Sequence, residues 1–133
     1  MQQIVARQRW FMAASEPWLV LIVEDEEPIA MALSFILEDA GYQVLIAKHG
    51  RQALDYLHDH RPVIIFTDLM MPYLNGEQLI IAVHEHFSGI PIVLMTAAGP
   101  RYSAHIGADR LMPKPFNIDD VDAALRQFLP VRP

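Results

Sequence analysis

Four short stretches hold side chains that could act together chemically. Glu24-Asp25-Glu26-Glu27 follows the apolar run Leu19–Val23. Asp68 follows Val63-Ile64-Ile65-Phe66 and Thr67, and leads into Leu69-Met70-Met71-Pro72. Thr96 ends the run Ile90–Met95, before Ala97-Ala98-Gly99, and Lys114 stands between Pro113 and Pro115. If the ends of these runs are neighbours in space, their carboxylates converge. Converging carboxylates resist joint ionisation unless something positive sits among them. A hard divalent cation is the natural partner, and Mg2+ suits a few carboxylates, a backbone carbonyl, waters and a phosphate oxygen. Lys114 adds a fixed positive charge and Thr96 a hydroxyl donor. A cation, a lysine and a hydroxyl around one carboxylate would stabilise a phosphoryl group carried on it.

The elements that must bring these groups together are legible from texture. Apolar runs of strand length, Leu19–Val23, Val44–Ala47, Val63–Phe66 and Ile90–Met95, alternate with segments of helical spacing. Ile29, Leu33, Ile36 and Leu37 share one face before Gly41, with Pro28 fit for a first turn. Ala53, Leu54 and Leu57 form a second face, and Leu79, Ile80 and Val83 a third after Gly76. Val121, Ala124, Leu125 and Phe128 form the last, capped by Asn117 and stopped by Pro130. Arg110-Leu111-Met112 is the fifth strand. Strands that are apolar throughout, alternating with helices, predict an α/β fold: a doubly wound parallel sheet covered on both faces. In such sheets, sites form at the carboxyl ends of strands, where all four stretches lie.

Composition narrows the functions. The 133 residues suit one domain, with 53% hydrophobic and 20% charged residues giving enough apolar material for a core. There is no cysteine, hence no disulfide and no thiolate metal site. A formal charge of −6 with scattered arginines argues against direct nucleic-acid contact. The apolar run from Trp18 stops at Glu24, too short for a membrane span, and Ser15-Glu16-Pro17 interrupts any signal-like stretch, so the cytoplasm is the expected location. Residues 1–17 read as an N-terminal extension, 18–130 as the domain and 131–133 as a tail. Met12 offers an alternative start, and Ile4, Val5, Trp10 and Phe11 an alternative docking helix. The six histidines show no metal-ligating arrangement; His58 and His60, like His84 and His86, are two apart and so point to different helix faces.

At this point the stretches "LVLIVEDEEPI", "FTDLMMPYLNGEQLI", "PIVLMTAAG" and "GADRLMPKPF", four in order and each at a strand end, resemble the receiver domain of bacterial two-component response regulators. The resemblance runs from Trp18 to about Leu129 and is to the stand-alone, CheY-like single-domain type. It implies the flavodoxin-like strand order 2-1-3-4-5. It further implies Asp68 as the acceptor of a phosphoryl group from a phosphohistidine on a sensor histidine kinase or histidine phosphotransfer protein. Asp25, with Glu24 beside it, would be the acidic Mg2+ ligand, joined by Asp68 and the Met70 backbone carbonyl. Thr96 and Lys114 would bond phosphoryl oxygens, and the Lys114–Pro115 peptide would be cis. Pro72 and Gly76 would shape the loop after Asp68.

Three departures qualify the resemblance. Leu111 stands where the family has an aromatic residue, three positions before the lysine. Thr96 and Lys114 are only 18 positions apart (114 − 96), so the fourth helix, from Arg101 to Ile106, should be short or irregular. The chain stops soon after the last helix, so the expected output is contact with a protein target the sequence does not name. The expectation is a signalling domain and not an enzyme with turnover. An aspartyl phosphohydrolase would want an acid where Met70 stands, and a flavin domain would not place four acids after its first strand. Met70 and Ala98, at positions that tune water attack, predict a long-lived acyl phosphate. The alternatives are a receiver-like scaffold that signals without phosphorylation, and a phosphoryl shuttle or sink.

Overall fold

The computed structural model describes residues 18–71, 74–97 and 107–130. Among them five strands alternate with four helices: β1 (Leu19–Val23), α1 (Glu27–Asp39), β2 (Gln43–Ala47), α2 (Gly50–Asp59), β3 (Ile64–Asp68), α3 (Gly76–His86), β4 (Ile92–Thr96), β5 (Arg110–Pro113) and α4 (Ile118–Phe128). All pairings are parallel and the spatial order is β2-β1-β3-β4-β5, the order the resemblance implies. The chain steps outward from β1 to β2, then returns past β1 to build β3, β4 and β5. The direction of winding therefore reverses between β1 and β3, which opens a crevice at their carboxyl ends.

Alternation of side chains along each strand builds two apolar layers. Val20 and Ile22, Ile64 and Phe66, and Val93 and Met95 pack with Leu33 and Leu37 of α1 and Val121 and Ala124 of α4. Leu21 and Val23, Ile65, and Ile92 and Leu94 pack with Leu57 of α2 and Leu79, Ile80 and Val83 of α3. A strand buried on both faces has no polar side to show, which is why these runs carry almost no polar residues until they end. Each fully buried Leu, Ile or Phe contributes about 1.5–3 kcal/mol, so the layers hold the strand ends against electrostatic stress at the sheet's rim. Leu111 packs partly buried against the α2/α3 layer, as a core residue.

The expected start signals at Pro28 and Asn117 are in place, and Asn75 adds another. Pro28 lies in the first turn of α1. Asn75 caps α3 and Asn117 caps α4, each through a reciprocal capping box, with Gln78 and Asp120 respectively. In α1 the buried stripe is Ala30, Leu33, Ser34 and Leu37; Ile29 and Ile36 of the expected stripe flank it and are only partly covered.

Several strand boundaries differ from expectation. β3 starts at Ile64 and runs through Asp68, and β4 starts at Ile92 and runs through Thr96. Pro91 has no N–H, so the β4 ladder is taken up one residue later, although its carbonyl still accepts from the Ile65 amide at 3.0 Å. Asp68 and Thr96 are thus the last residues of strands, positioned by a ladder rather than by a loop. β2 begins one residue early, at Gln43. The segment 101–106, the extension 1–17, the tail 131–133, Pro72 and Ala98 lie outside the described residues. No described helix is long and apolar enough to cross a membrane.

Candidate functional site

The carboxyl ends of β1, β3, β4 and β5 meet at one rim. β1 delivers Glu24 and Asp25, β3 Asp68, β4 Thr96, and β5 Lys114. The last two ends are tied together, since the Lys114 amide donates to the Thr96 carbonyl at 3.1 Å. Glu24, Asp25 and Asp68 each offer a carboxylate oxygen within 4.8 Å of the others. Glu24 is 1% exposed, Thr96 6% and Asp68 8%, whereas Asp25 is open to solvent. The Lys114 ammonium bridges the two buried acids, 2.7 Å from Glu24 Oε1 and 3.2 Å from Asp68 Oδ1. The Lys114–Pro115 peptide is cis.

Backbone amides complete the acids' environment. Glu24 Oε2 accepts from the Glu26 amide at 3.2 Å, and Asp68 Oδ1 accepts from the Leu69 amide at 2.8 Å. Both Lys114 and the Leu69 N–H therefore fall on Oδ1, and Asp68 Oδ2 takes no bond from any described residue. The Met70 side chain is 74% exposed, whereas Met71 packs partly buried against the α2/α3 layer.

The electrostatics are unbalanced. Three carboxylates face one ammonium. Burial, and then the charge on Asp68, push the Glu24 carboxyl up to about 7, against the pull of Lys114 and the Glu26 amide. Burial works against the charge on Lys114, but Glu24 and Asp68 outweigh it and raise its pKa. Glu24 Oε1 is buried beside the lysine's charge and, among the described residues, accepts no well-directed hydrogen bond. A divalent cation fits this donor set: all-oxygen, carboxylate-rich, open on the Asp25 side and short of positive charge.

A pH dependence follows. An unfolded glutamate near 4.5 has lost its proton by pH 6, while folded Glu24 still holds it. The folded state thus binds the extra proton between about 4.5 and 7, and stability falls as pH rises through that window. At about 1.4 kcal/mol per pKa unit the total approaches about 3 kcal/mol. Lys114 stays charged on both sides of this window and adds no slope. Thermal melts at pH 5.5 and pH 8 are expected to show the metal-free protein less stable at pH 8, with Mg2+ restoring more stability there than at pH 5.5. Equal midpoints would show that Glu24 is ionised throughout.

Gly76 allows α3 to start directly over the end of β3. A Cβ there would collide with the Asp68 carbonyl oxygen and come within 2.9 Å of the Leu69 Cα. The Gly76 amide donates to the Leu69 carbonyl at 2.8 Å, so the helix cannot back away without losing that bond. Gly76→Ala is expected to cost about 1–3 kcal/mol, as overpacking does. Urea unfolding would measure it, and an unchanged midpoint would show that the helix start is free to move.

Known proteins share this fold and much of this sequence. The family model for the response regulator receiver domain matches residues 20–126. Response regulator Rre1 of Synechocystis sp. is 34% identical over 122 residues, covering 86% of this chain and 53% of the relative. Sporulation initiation phosphotransferase F of Bacillus subtilis is 31% identical over 117 residues, covering 85% of this chain and 94% of the relative. The crystal structure of chemotaxis protein CheY4 of Vibrio cholerae superposes with a TM-score of 0.78 at 32% identity, covering 84% of this chain and 98% of that one. The chain therefore spans about half the length of Rre1 and nearly all of the phosphotransferase. A family match across residues 20–126, on a five-stranded parallel sheet of order β2-β1-β3-β4-β5, makes the conclusion plain: the chain belongs to the family of response regulator receiver domains.

Proposed function

We propose that Asp68 accepts a phosphoryl group from a phosphohistidine on a sensor histidine kinase or histidine phosphotransfer protein. The modified domain then signals by binding a protein target in the cytoplasm. The observation that carries the reading is the bridge of Lys114 between Glu24 and Asp68, with Asp25 completing a three-carboxylate cluster. Asp68 Oδ2, the oxygen without a partner among the described residues, attacks phosphorus. The phosphorus–nitrogen bond of the donor breaks, and its electron pair stays on the imidazole nitrogen. Lys114 turns its charge to one phosphoryl oxygen and the Thr96 hydroxyl donates to another. Glu24, Asp25, Asp68 and the Met70 carbonyl are the groups that would hold Mg2+. When bound, the ion would offset the charge of the incoming phosphoryl oxygens.

Incubation with Mg2+ and acetyl phosphate, followed by peptide mass spectrometry, tests this. A phosphoryl group on the peptide containing Asp68 is expected. No uptake, or modification elsewhere, would overturn the reading and leave the scaffold alternative. A shuttle or sink between histidines is favoured by one observation, Leu111 packed in the apolar layer where an aromatic switch would stand. The phosphotransferase that this chain spans almost end to end supports it by its name. Amide shifts confined to the rim after phosphorylation would select the shuttle, whereas shifts reaching Leu111 and α4 would select a conformational switch.

A further inference from the structure

We propose that Thr67 is a positioning residue for Asp68, a role that rests on the phosphoacceptor reading above. Thr67 is fully buried. In the sheet it lies between Val23 of β1 and Leu94 of β4, on the side of the α2/α3 layer, where its neighbours are apolar. A hydroxyl in such a layer is costly unless it is hydrogen-bonded, and valine would fill the place without that cost. Its hydroxyl makes one bond to the described residues: it donates to the Asp68 backbone carbonyl at 3.0 Å.

That carbonyl belongs to the peptide linking Asp68 to Leu69. The N–H of the same peptide donates to Asp68 Oδ1 at 2.8 Å. On the carbonyl's side the start of α3 presses close enough to exclude a Cβ at Gly76. One rigid peptide plane is thus held at its oxygen by Thr67 and holds the carboxylate by its nitrogen. Turning the plane would swing the Leu69 N–H away from Oδ1 and move Oδ2 off the line of attack. Thr67 touches neither donor nor metal; it acts through the plane. Misplacement of a reacting group by a fraction of an ångström slows a transfer step measurably.

Thr67→Val keeps the shape and removes the hydroxyl, and Thr67→Ser keeps the hydroxyl and removes a methyl. Three quantities are read on the full chain: the rate of uptake from acetyl phosphate at saturating Mg2+, the Leu69 amide resonance, and the thermal midpoint. Thr67→Val is expected to slow uptake about ten-fold and shift the Leu69 amide. Thr67→Ser should keep the parent rate within about two-fold, and the Leu69 resonance, although the lost methyl lowers its midpoint. Should Thr67→Val not fold, Thr67→Ala against Thr67→Ser makes the same comparison, since both lack the methyl and differ in the hydroxyl. Parent-like uptake and an unmoved Leu69 amide without the hydroxyl would overturn the inference, as would rates that simply follow the midpoints. If the parent itself takes up no phosphoryl group, the phosphoacceptor reading fails, and the Leu69 resonance alone decides whether the clamp exists.

Discussion

Asp68→Asn is expected to take up no phosphoryl group and, without Mg2+, to unfold at a higher temperature than the parent at pH 8. The first effect is chemical, because an amide has no anionic oxygen with which to attack phosphorus. The second is electrostatic. The charge on Asp68 is one of the forces that drives Glu24 toward its neutral form, and the two carboxylates lie within 4.8 Å. Removing one charge leaves Lys114 fully paired with Glu24 at 2.7 Å. Partly screened repulsion at this range contributes about 1 kcal/mol, the expected gain in stability. Intact-mass measurement after acetyl phosphate treatment checks the first effect and thermal melts the second. Loss of uptake with loss of stability would mean that Asp68 supports the fold and does not strain it.

Lys114→Ala should be the most damaging single change at the rim. The lysine is the positive partner of both buried acids, and Glu24 has no exposed side-chain surface through which water could replace it. Removing one member of a buried pair costs about 3–5 kcal/mol. Glu24 can avoid that penalty by keeping a proton, so the loss should be large at pH 8 and shrink toward pH 5.5. Uptake from acetyl phosphate should fall by about 10²–10³, the cost of losing one preorganised group that stabilises developing charge. Paired melts at the two pH values and a single-turnover rate would measure both. A stability loss independent of pH would show that Glu24 does not take up the proton.

The sequence carried the frame well. Five strands, their polarity and the acids at their ends follow from apolar runs that stop abruptly at charged residues. Asp68, Thr96 and Lys114 lie at strand ends because a parallel sheet has nowhere else to place them. Boundaries were less legible. Val63 and Ile90 look like strand residues by hydrophobicity, but a hydrogen-bond ladder and not apolar character defines a strand, and Pro91 interrupts it. The depth of Glu24 could not be read either. Beside Asp25, Glu26 and Glu27 it looks like one of four solvated acids, yet the strand's alternation turns it inward to meet Lys114, 90 positions away (114 − 24). Thr67 gave no signal, because a threonine in a β run is ordinary and its hydrogen bond follows only from the carbonyl beside it.

The order in which the rim's charges occur along the chain has a consequence for biosynthesis. Glu24, Asp25 and Asp68 leave the ribosome well before Lys114, which follows β5, a four-residue strand paired to β4 alone. A nascent chain that has completed β1, β3 and β4 would hold its acids together with no lysine among them. The two apolar layers favour closing the sheet at that stage, and the acids oppose it. Release of that opposition waits for β5 to dock and bring its ammonium between Glu24 and Asp68. Translation thus supplies the neutralising charge last, and the contact of Lys114 with Glu24 and Asp68 also marks the sheet as finished.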